Sequence, residues 1–65
     1  MNVRYFPDTD TLLVNFSDRN ISETRDLTED ILVELDKDGR LVSMTIEHAK
    51  QQMNVMEFTY RLAAT

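Results

Sequence analysis

The side chains able to do chemistry in this sequence are few and of one kind. Asp and Glu number 12 against a single His and no Cys, and all the carboxylates except Glu47 and Glu57 fall between Asp8 and Asp38. Hard cations bind where several oxygens converge. Acidic turns therefore invite a calcium or magnesium site, and Asp36-Lys37-Asp38-Gly39 is the best local candidate. It lacks the further pair of ligands and the Gly at the sixth position that an EF-hand loop needs. His48 is the one side chain that titrates near neutrality unperturbed. Asp8, Asp10 and His48 are thus the set that a small metal-dependent or ligand-binding enzyme-like module would use. Glu47 adjoins His48, but sequence neighbours point apart on a strand and on a helix. Ser17, Ser22 and Ser43 come without a Gly-rich elbow, and one Gly cannot build a phosphate-cradling loop. No catalytic residue, cofactor or metal ligand is assigned on this pattern, and turn chemistry accounts for the acidic residues more simply.

The elements that would position these groups are short strands. Asn2 to Phe6 alternates and stops at Pro7-Asp8-Thr9-Asp10, where Pro presets φ and Asp can bond the backbone two residues on. Thr11 to Phe16 sets Leu12, Val14 and Phe16 against Leu13 and Asn15. Ser17 to Thr28 is polar and reads as a connection holding a short edge strand around Ile21 to Arg25. Asp30 to Asp36 and Leu41 to Glu47 alternate again, separated by an Asp-Gly turn that supplies the positive φ a tight hairpin demands. Ala49 to Met53 are helix formers, with Asn54 placed to close a short helix in the left-handed conformation. Residues 55–62 count two ways. Met56, Phe58, Tyr60 and Leu62 alternate as a strand, whereas Val55, Phe58 and Leu62 recur at helical spacing. Val, Phe, Thr and Tyr tip the composition toward a strand. The fold class is α+β: one domain over 1–65, a small antiparallel β-meander of four or five strands with one short C-terminal helix and then a further strand.

Size sets the next expectation. A chain of 65 residues without Cys has neither disulfides nor a thiolate zinc site to reinforce a small core. Oligomerisation or an unusually well-packed core is what remains. The main apolar face is complete, yet Phe6, Leu13, Leu32 and Leu41 fall on the opposite face, where a sheet open to water would be polar. These four residues, with Met56, Phe58 and Tyr60 of the soft C-terminal segment, are the candidate oligomer or partner interface. A net charge of -5, with Lys and Arg scattered singly, argues against nucleic-acid binding by the protomer alone and favours a basic partner. No apolar run reaches the length of a membrane span and no basic leader precedes an apolar segment, so the expected location is the cytoplasm.

One resemblance emerges from the order of these motifs. Val3-Arg4-Tyr5, Pro7-Asp8-Thr9-Asp10-Thr11-Leu12, Phe16-Ser17-Asp18, Ser22-Glu23-Thr24, Ile31 to Asp36 and Asp38-Gly39-Arg40-Leu41-Val42, followed by Ile46-Glu47 and Ala49-Lys50, resemble the bacterial domain of unknown function 2283 family. The resemblance covers the chain to about Gln51. Asp30, Ser43 and His48 depart from its pattern of two further Gly and an Asp. It implies a small meander sheet with a short helix and no established site residues. Its members are at times encoded beside small toxin-like proteins, which implies an antitoxin-like role. The readings carried forward are a non-enzymatic homo-oligomeric interaction module, the metal-dependent alternative above, and a purely structural subunit.

Overall fold

The computed structural model describes residues 1–63. Five strands, β1 (Asn2–Phe6), β2 (Thr11–Asn15), β3 (Glu23–Asp26), β4 (Ile31–Leu35) and β5 (Leu41–Ile46), precede one helix, α1 (Ala49–Gln52). All neighbours are antiparallel, and the sheet order is β1-β2-β5-β4-β3. The meander therefore comes in two pieces. A β1–β2 hairpin and a β3–β4–β5 meander are joined where β2 pairs with β5, which makes β5 the central strand.

Each reversal has a local cause. At the β4–β5 turn Gly39 takes φ 81, its N–H meets the Asp36 carbonyl at 3.0 Å, and the Asp36 N–H closes on the Arg40 carbonyl at 2.9 Å. The Asp36 carboxylate accepts the N–H groups of Asp38 and Arg40 at 2.9 and 2.8 Å, so side chain and backbone enforce the same bend. Thr28 shapes the β3–β4 turn in a similar way, its hydroxyl accepting from the N–H groups of Asp30 and Ile31.

Register assigns the faces. The rows Tyr5–Leu12–Ile46–Ile31 and Val3–Val14–Met44–Val33 cross one side of the sheet. Leu12, Val14 and Ile46 are buried there against the fully buried Ala49, with Val3, Tyr5, Ile31, Met44 and Val55 packed around them. Ala, Lys and Gln favour the helix, and its only buried residue, Ala49, is small enough to bring the backbone down onto the sheet. The opposite side carries Arg4, Leu13, Thr45, Leu32 and Asp26 in one row and has no helix over it. The result is a thin slab of 34 × 32 × 19 Å.

Three expectations change. Leu41 does not share the face of Leu13 and Leu32, because a register shift at Glu34/Leu35 places it opposite Leu35, on the side of Val33. The left-handed residue beside the helix is His48 at φ 52, on its N-terminal side, while Met53 at the other end is extended. Residues 55–62 form no strand: Asn54 turns the chain, its side chain accepting from the Met56 N–H at 3.1 Å, and the segment beyond runs without a ladder partner. Alternation alone does not make a strand: this segment pairs with neither of the sheet's edge strands, β1 and β3. The fifth strand is instead β3, within the expected connection.

Candidate functional site

Asp10 occupies the centre of the first candidate constellation. It sits at φ 55, a conformation Asp tolerates better than most residues. Its carboxylate accepts from the Tyr5 hydroxyl at 2.7 Å and from the Lys50 N–H at 3.2 and 3.3 Å, and its carbonyl accepts from the Ala49 N–H at 3.0 Å. Helix starts leave N–H groups unpaired. Since His48 makes no side-chain cap of its own, Asp10 caps α1 from the β1–β2 turn. The bond to Asp10, then burial, then the Asp10 charge push the Tyr5 hydroxyl up to about 12.

His48 lies across the same corner, its Nδ1 2.9 Å from Asp30 Oδ1. The hydrogen bond to Asp30 is the main cause that raises its pKa above the ordinary 6.5, helped by the Asp30 charge and more weakly by Asp10 and Glu47, with burial opposing. Asp10 and His48 are thus brought to one corner of the fold but are committed to different partners. Among the described residues no group of three His, Cys, Asp or Glu side chains could hold a metal ion. The chemistry this corner performs is tethering: it ties α1 to two turns.

A second constellation closes the other end of the sheet. Residues 16–22 pass across that end from β2 toward β3, and Arg19 reaches back to Asp36, Nε to Oδ2 at 2.6 Å, while its Nη2 donates to the Leu41 carbonyl at 3.1 Å. Asp36 is buried, and its carboxyl is held below its usual range chiefly by the Arg40 N–H, with Asp38 and Arg19 assisting against the cost of burial. A depression of about 380 Å³ lies here between Ile21 and Lys37. Of its charged lining, Arg19 and Asp36 satisfy each other. Sequence reasoning missed this pair, since nothing local links position 19 to 36.

The remaining surfaces are apolar. Leu13 and Leu32 flank Thr45 at the middle of the uncovered sheet face, and Phe6 stands at its rim with the Arg4 guanidinium 5.0 Å from its ring centroid. Beyond α1 the chain exposes Met56 by 87%, Phe58 by 56%, Tyr60 by 71% and Leu62 by 87%. Of the seven residues singled out for an interface, the fold gathers Phe6, Leu13 and Leu32 on one face, Met56, Phe58 and Tyr60 on the C-terminal segment, and Leu41 on neither. No helix among the described residues is long and apolar enough to cross a membrane.

These five strands and the start of α1 all lie within residues 2–50, and that span matches the family described as "Protein of unknown function (DUF2283)". The chain belongs to the DUF2283 family. Comparison with curated proteins and with solved structures gives no match. The DUF2283 region therefore comprises the sheet, its turns and the Asp10 tether, while Met56, Phe58 and Tyr60 lie beyond it.

Proposed function

We propose that this DUF2283 protein is a non-enzymatic interaction module that self-associates and offers its C-terminal segment to a small basic protein, as an antitoxin-like subunit would. The observation that carries the reading is the run Met56, Phe58, Tyr60 and Leu62, large apolar side chains in alternation that stay 56–87% exposed in the protomer. An extended segment of this kind can add to a sheet edge or lie in a groove, its alternate side chains giving specificity and Met giving adaptability. A net charge of -5 supports a basic partner by steering encounter and excluding acidic competitors. The polar groups in the protomer's corners are spent on tethering, which supports binding over catalysis. Light scattering across a dilution series tests self-association, with a dimer or larger species expected. Pull-down from the native host with the wild-type chain should recover a basic protein of low mass, and the Phe58→Ser/Tyr60→Ser variant should not. A stable monomer that captures the same material with or without Phe58 and Tyr60 refutes the reading.

A further inference from the structure

The uncovered sheet face carries a pattern that chooses its own occupant. One row crosses all five strands as Arg4, Leu13, Thr45, Leu32 and Asp26, a cation at one edge, an anion at the other and two Leu symmetric about a central Thr. Arg4 and Asp26 are exposed, and neither forms an ion pair among the described residues. We infer that this face packs against the same face of a second copy, about a two-fold axis that runs along β5. This assignment rests on the self-association proposed above and names the surface responsible.

The symmetry follows from the row. A two-fold along β5 lays β1 of one copy over β3 of the other, so Arg4 meets the partner's Asp26, Leu13 meets the partner's Leu32, and Thr45 meets itself. The flanking row Asn2–Asn15–Ser43–Glu34–Thr24 behaves in the same way, bringing the Asn15 amide over the partner's Glu34 carboxylate. The other in-plane two-fold, across the strands, would stack Arg4 on Arg4 and Asp26 on Asp26. Unlike charges thus select one axis and reject the other. Glu47, one residue beyond β5, is the one like charge that this axis sets against its own copy; it is exposed, where solvent screens it, and accepts from the Thr11 hydroxyl at 3.0 Å.

Two aligned sheets pack about 10 Å apart, a separation that Leu13, Leu32 and the Thr methyls can fill from both sides.

Charge reversal tests the axis. Arg4→Asp and Asp26→Arg each turn two attractive contacts into two repulsive ones, and each variant alone should self-associate about 10-fold or more weakly than the wild type. Mixing the two variants restores unlike pairs at both contacts, as does the double variant, so both should dimerise close to wild-type strength by analytical ultracentrifugation, with circular dichroism confirming the fold. Both positions are exposed, so the fold should persist. A wild-type dimer indifferent to either reversal, or variants that fail to rescue each other when mixed, overturns the face assignment and leaves self-association standing. A wild-type monomer at every concentration overturns both.

Discussion

Gly39 offers an unusually clean perturbation. It sits at φ 81, and a Cβ placed on it would meet no atom within 4 Å, so Gly39→Ala adds no clash with the rest of the fold. What remains is the left-handed penalty for an L residue, about 1–2 kcal/mol. The loss of Gly's freedom in the unfolded chain offsets about 0.4–1 kcal/mol of that. The net destabilisation should be about 1 kcal/mol, or about 4–8 °C in Tm for a domain of this size. Asn tolerates the left-handed region, so Gly39→Asn should recover more than half of the loss. Urea unfolding at one fixed protein concentration is the assay, since self-association would make stability depend on concentration. The midpoint should fall with the slope unchanged. An Ala variant as stable as the wild type, or an Asn variant no better than Ala, would refute the reasoning that only backbone conformation is at stake there.

Three further outcomes are expected. The folded-state pKa of His48 is raised, so the His48–Asp30 pair contributes stability that is complete below the unfolded value of about 6.5 and is lost as pH rises through the folded value. A melting series from pH 5.5 to 8.5 should show this decline, and His48→Gln should flatten it. The Asp36 pKa is lowered, so its contribution holds at neutral pH and is lost as pH falls through the folded value. Arg19→Ala removes one support of Asp36 and should speed proteolytic cleavage within residues 16–22, while cleavage of the β1–β2 turn stays unchanged. Tyr5 should ionise only near pH 12 in a spectrophotometric titration, and Asp10→Asn should bring that step down, because the Asp10 carboxylate is the main cause of its rise.

Periodicity made β1, β2, β4 and β5 legible because their side chains alternate in and out of one core, whereas β3 is exposed at every position and carries no such pattern. Turn chemistry fixed the Asp-Gly hairpin for the same local reason. Sheet order was less accessible: β2 lies beside β5, some thirty positions away, and nothing in Thr11 to Asn15 names that partner. The bulge that re-aims Leu41 is likewise a product of pairing between β4 and β5. Asp10 read as a turn residue, which it is, but its role as a cap for α1 appears only when the helix arrives from 40 positions downstream. The C-terminal segment misled most, since its composition suits a strand while no edge in the protomer receives it. Conversely, the family resemblance read from the turn motifs is the one now established over residues 2–50.

The place of β5 in the sheet has a bearing on synthesis. Leu41–Ile46 is the central strand yet the last of the five to be made, so the β1–β2 hairpin and the β3–β4 pair cannot unite until it emerges. Until then Leu12 and Val14 have no Ile46 or Met44 to cover them. A chain halted before β5 would present two hairpins with open edges and with Leu12, Val14 and Val33 uncovered, the kind of species that aggregates or attracts chaperones. Completion of the sheet is in this sense a checkpoint: one strand decides at once whether both halves are sheltered.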